Sequence, residues 1–184
     1  MIYPVEGVRL EASLRFVAQW GAAPDRASRE QVLQSTLQVL EAVNAMEEPL
    51  PERRIEDAPW HADIVRIDRR LNLLLAMMAR LLAREESFDP PQPVCIHSEG
   101  ISWRADGAAG NGRIGMPLVC LVYLPAFPSL PVALPAEFRG PVDADPAWVY
   151  ARFLEMNDAV SEQLDRLIFR HHRRSVAGQR HPHD

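Results

Sequence analysis

The chain has 184 residues, 47% of them hydrophobic, with 2 cysteines and a formal net charge of −5. That length and apolar content suffice for one core without disulfides or metal staples, and the negative balance argues against a surface built to attract nucleic acid or acidic membrane. Cys95 and Cys120 lie in apolar runs and read as reduced core thiols, and no run reaches the roughly 18 apolar residues of a membrane span, so a cytoplasmic protein is expected with no membrane insertion.

Along the chain, Val5 to Trp20 mixes apolar and charged positions and ends at Gly21 and Pro24, which reads as one extended segment closed by a turn. Ser28-Arg29-Glu30-Gln31 has the form of a capping box, and Val32, Leu33, Thr36, Leu37, Val39, Leu40, Val43 and Met46 then recur at helical spacing until Pro49 and Pro51. A second helix is predicted over 57–86, with Asp57 as cap and Pro59 in its first turn. Ile64, Ile67, Leu71, Leu74, Met78 and Leu81 follow at alternating steps of three and four, the heptad pattern that keeps a seam against a neighbouring helix. Leu73, Leu75, Met77 and Leu82 widen the apolar surface beyond what one covering helix can bury. Self-association is therefore favoured over a purely internal hairpin.

From Pro90 to Val142 the pattern changes to short runs punctuated by Gly and Pro. Pro93–His97, Ile101–Arg104, Leu118–Tyr123 and Val132–Phe138 are strand candidates for an antiparallel sheet or small barrel. Asp145-Pro146 reads as the start of a final helix over 145–177, with Trp148, Val149, Phe153, Met156, Val160, Leu164, Leu167 and Ile168 on one face and Arg170 to Arg174 as a basic end. A disordered tail is expected over 179–184. The reading is thus one α+β domain over 1–178, with a helical insertion at 27–86 for oligomerisation.

Few motifs carry chemistry. Gly110-Asn-Gly-Arg-Ile-Gly115 matches G-x-G-x-x-G, but a strand-like run follows where the phosphate-binding helix should begin, so a hairpin loop is the better reading. Cys95 and His97 sit two apart on a strand and share a face, to which Cys120 could add a third metal ligand, yet this falls short of a four-ligand spacing. Ser98 beside His97 points to the opposite face and cannot pair with it. No nucleophile elbow or P-loop is present. No catalytic residue, metal or cofactor is assigned.

Leu71-Asn-Leu-Leu-Leu75, Val94-Cys-Ile-His-Ser-Glu-Gly-Ile-Ser-Trp103, Leu121-Val-Tyr-Leu-Pro125 and Leu167-Ile-Phe-Arg-His-His-Arg-Arg174, in this order, resemble the PilZ family, specifically its atypical, tetramer-forming branch. The resemblance implies a six-stranded barrel, an inserted helical pair, and assembly through the heptad helix. Typical PilZ domains bind cyclic diguanylate (cyclic di-GMP) with an RxxxR pair ahead of the first strand and a (D/N)xSxxG motif between strands. Aligned on Gly100, the Asp/Asn position is Cys95 and the Ser position is His97, and no Arg pair precedes the first segment.

Three functions compete. The leading one is a non-catalytic homotetrameric adaptor in cyclic di-GMP regulation that acts through unidentified signalling proteins and binds the nucleotide weakly or not at all. The second is a direct receptor with a rebuilt site drawn from Cys95, His97, Gly100 and Arg104, or from Arg139 or Arg170 to Arg174. The third is a metal-dependent enzyme built on Cys95 and His97.

Overall fold

The computed structural model describes residues 7–21, 25–47, 67, 71, 90–105, 112–128, 130–143 and 145–179. Among them the elements run β1 (Leu10–Trp20), α1 (Arg26–Glu47), β2 (Gln92–His97), β3 (Gly100–Arg104), β4 (Pro117–Tyr123), β5 (Val132–Val142), β6 (Asp145–Phe153) and α2 (Asp158–Gln179). The six strands close into an antiparallel barrel in the order β1-β2-β3-β6-β5-β4.

Closure follows from alternation. Leu10, Leu14 and Phe16 on β1, Val94 and Ile96 on β2, Ile101 and Trp103 on β3, and Val149, Ala151 and Phe153 on β6 are buried in one cluster, so every second side chain enters the barrel. Trp103 is wholly buried at its centre, its ring 4.9 Å from Phe16 and 6.2 Å from Phe138. On β5 the register slips between Phe138 and Gly140, and Gly140 holds φ +102°, a conformation that leaves Arg139 as the extra residue of a bulge.

The stretch 145–153 corrects the sequence reading: it is a strand, paired to β3 on one side and β5 on the other. Asp145 Oδ1 accepts from the Ala147 amide two residues on, a local turn and not a helix start. The helix begins after Asn157, whose Oδ1 accepts from the Val160 amide at 2.8 Å, with Asp158 in the favourable first turn. A similar shift moves the start of α1. Asp25 Oδ1, not Ser28, accepts the capping bond, from the Ser28 amide at 2.7 Å.

α1 buries Leu33, Thr36, Val39, Leu40, Val43 and Asn44, while Met46 stays exposed. Thr36 Oγ1 donates to the Ala133 carbonyl at 2.8 Å and accepts from its amide at 3.1 Å, seating α1 on β5. Asn44 is the joint to α2: its amide donates to Gln163, and Arg170 donates back to its side-chain and backbone oxygens. Glu47 completes the seam with Arg174 at 2.9 Å, Arg170 at 3.6 Å and His171 at 3.7 Å. α1 therefore belongs to the barrel's own core cluster. Of the heptad positions, Ile67 and Leu71 are helical and exposed, at 63% and 52%, and Ile64, Leu74, Met78 and Leu81 lie outside the described residues. Among the described residues no helix is long and apolar enough to cross a membrane.

Candidate functional site

The degenerate motif lies on β2, the Ser98-Glu99 turn and the first residue of β3. Val94 and Ile96 point into the barrel, so Cys95 and His97 occupy its outer side. Both are nonetheless buried, at 9% and 6% exposure. The Cys95 thiol lies 3.4 Å from His97 Nε2, and Ser102 Oγ donates to the Cys95 carbonyl from the paired strand. Burial and the neighbouring Glu11 carboxylate push the thiol up to about 11, against the smaller opposing effects of Arg9 and Ser102. His97 is held below its ordinary value by burial first and by Arg9 second, opposed by Glu11, which keeps the imidazole neutral at pH 7. A protonated thiol beside a neutral imidazole is a weak nucleophile pair.

Gly100 pairs with His97 on one side and with Arg152 on the other. A Cβ there would overlap the Tyr150 hydroxyl, the Ala151 carbonyl oxygen at 2.5 Å and Tyr150 Cε2 at 2.6 Å. Tyr150 thus lies across the one position the motif retains, with its hydroxyl donating to the Glu99 carbonyl at 3.5 Å. Where a ligand would meet bare backbone, this chain meets its own phenol ring.

The remaining candidates are not gathered there. Arg104 is exposed at the far end of β3, about 13 Å along the strand from Gly100. Cys120 is fully buried on β4, which β1 separates from β2, and Leu118, Cys120 and Val122 form the inward row. Complete burial raises its pKa. It cannot join Cys95 and His97 as a third ligand, and among the described residues no group of three His, Cys, Asp or Glu is placed to hold a metal. Arg170 and Arg174 are committed to Asn44 and Glu47.

The glycine-rich run also departs from the expected hairpin, because β3 and β4 are not neighbours in the barrel. Gly110 lies outside the described residues. Gly112 matters through contact: a Cβ would overlap the Trp20 ring and come within 3.0 Å of Phe138. Gly115 carries the left-handed φ, +85°.

Sequence reasoning named Arg139, which lies with Ser98 and Glu99 on one cavity, but missed Arg152 and Tyr150 as neighbours of Gly100, since both come from the strand mistaken for helix. The available signal was the alternation Val149, Ala151, Phe153, which sends Tyr150 and Arg152 to the barrel's outer face.

A family profile described as atypical PilZ domain, cyclic di-GMP receptor, matches residues 33–181. Among solved structures, one match is a pathogenic protein from Xanthomonas campestris described as a new tetrameric PilZ domain self-assembled via an unusual helical bundle. It is 21% identical, with a TM-score of 0.70 over 95% of this chain and 93% of that one. No curated protein matches. With the profile spanning most of the sequence and the closed six-stranded barrel in place, this chain belongs to the atypical PilZ domain family.

Proposed function

We propose that the protein is a non-catalytic, cytoplasmic signalling adaptor that works as a homotetramer through protein partners and binds cyclic di-GMP weakly or not at all. Family membership ties the chain to cyclic di-GMP-related signalling. The observation that carries the weak-binding reading is the state of the motif positions. Cys95 and His97 are buried against each other, and the notch at Gly100 is filled by Tyr150. A typical site would offer carboxylate or amide and hydroxyl groups there, with an Arg pair clasping phosphate. Each charge-assisted bond lost costs about 1.5–3 kcal/mol, so losing several moves a micromolar site to millimolar or weaker. Isothermal titration at physiological salt tests this: weak or undetectable heat is expected, and low-micromolar affinity refutes it.

The receptor reading has one observation in its favour, the outward guanidinium groups of Arg139 and Arg152 beside the β2–β3 turn. The same titration decides between the two.

Support for the tetramer comes from the heptad run in which the exposed helical Ile67 and Leu71 sit, since a sustained seam of that kind calls for a covering helix. Leu74→Glu would gather carboxylates in one apolar layer of a bundle, a cost of several kcal/mol per assembly by desolvation and repulsion. Light scattering should give four times the chain mass for the parent and a smaller species for the variant. A monomeric parent at tens of micromolar, or a variant of unchanged mass, refutes the assembly.

A further inference from the structure

A cavity of about 460 Å³ opens where the β2–β3 turn, the end of β6 and the first turn of α2 meet. Its polar rim is Ser98, Glu99, Arg152, Glu155 and Ser161, and none of these side chains has a hydrogen bond or ion pair among the described residues. Glu47, by contrast, is engaged by Arg170 and Arg174. Here Glu99, in the β2–β3 turn, and Arg152, on β6 opposite Gly100, stay unpaired. Arg139, also on the rim, already has Glu137 at 3.4 Å. Two carboxylates and one guanidinium therefore remain uncommitted. That set repels a polyanion and matches a ligand carrying both signs. Beneath the rim, buried Phe153 and half-buried Met156 and Leu154 offer an apolar floor. The volume lies in the usual range of about 300–1,000 Å³ for small-ligand pockets and holds two or three side chains.

We infer that this cavity is the docking point for a partner-protein segment that presents a basic and an acidic side chain on either side of an apolar one. The basic group meets Glu99 and Glu155, the acid meets Arg152 with the Ser161 hydroxyl at the start of α2, and the apolar side chain lies on Phe153 and Met156. This rests on the adaptor reading and names the surface that reading requires.

The test is fluorescence anisotropy on the full chain with three labelled, end-capped tripeptides, Glu-Leu-Arg, Glu-Leu-Glu and Arg-Leu-Arg. The mixed peptide should bind at least about threefold more tightly than either control, the scale of two exposed ion pairs. Arg152→Ala and Glu99→Ala, both exposed, should each erase that preference while leaving the melting curve unchanged. Equal or tighter binding of the doubly acidic peptide, no saturable binding of any peptide, or a preference that survives both substitutions would each overturn the inference. Cyclic di-GMP is added as competitor. Low-micromolar displacement of the mixed peptide overturns both the inference and the adaptor reading. Nucleotide binding without displacement overturns only the weak-nucleotide reading and leaves the peptide preference as support for the site.

Discussion

Replacing Gly100 by Ala separates two roles that a motif glycine can have. If Gly100 serves only to let a ligand approach the backbone, the variant folds as well as its parent. The geometry says otherwise. The new methyl group would meet a phenol ring that can tilt and the Ala151 carbonyl oxygen at 2.5 Å, which is fixed in the β3–β6 ladder. Gly100 does not hold a positive φ, so the penalty is overpacking alone, about 1–3 kcal/mol. For a chain of this length that corresponds to a fall in Tm of roughly 3–10 °C. Thermal unfolding should be followed at one fixed protein concentration, because self-association also shifts Tm. A second substitution gives the reasoning its internal check: in a Tyr150→Ala background the phenol overlap disappears while the carbonyl overlap stays. Gly100→Ala should then cost less, with a coupling of about 1 kcal/mol or more between the two positions. A Gly100→Ala variant within about 0.5 kcal/mol of the parent would refute the close packing of Tyr150 over this residue.

Stability should fall on both sides of neutrality. His97 binds its proton less readily in the folded chain, so stability is complete above its usual 6.5 and is lost as pH drops below it. Cys95 ionises more readily when unfolded, so stability is complete below 9.0 and is lost as pH climbs toward about 11, with buried Cys120 adding to the same limb. Urea midpoints from pH 5 to 11 check this. His97→Asn should flatten the acid limb near pH 6, and an unaltered limb in that variant counts against the assignment. Thr36→Val keeps volume but removes both bonds to Ala133, and a loss of about 1–3 kcal/mol is expected in urea unfolding, mostly from the stranded Ala133 amide.

Much of the barrel was legible because short apolar runs set off by Gly and Pro mark β2 to β5, even where Pro135 and Pro141 interrupt β5, and β4 alternates buried and half-buried side chains throughout. The sixth strand was hidden by Asp145-Pro146, a pair that serves a turn as well as it serves a helix start. Its loss hid Tyr150 as well, and with it the reason why Gly100 persists beside Cys95 and His97. Their shared face was readable from a spacing of two. Their burial was not, since a strand's outer row is covered or bare according to what packs on it. The cap at Asp25 was missed for a simpler reason: four polar residues in a row, Ser28 to Gln31, offered a capping box with good spacing, and the earlier carboxylate took the amide first.

Ring closure of the sheet limits how any partner could attach to this domain. Each strand pairs with two neighbours, so only short stretches stay unpaired on one side, as along β1, where Leu10–Leu14 bond to β2 alone and Arg15–Trp20 to β4 alone, and an incoming peptide finds no full-length edge to extend. Backbone-to-backbone recognition, which is tolerant of sequence, is confined to those short stretches. Elsewhere, contact with a partner through this barrel passes through side chains on its outer rows or in the cavity beside α2. Partner choice can then be retuned one surface residue at a time, leaving the inward rows around Trp103 untouched.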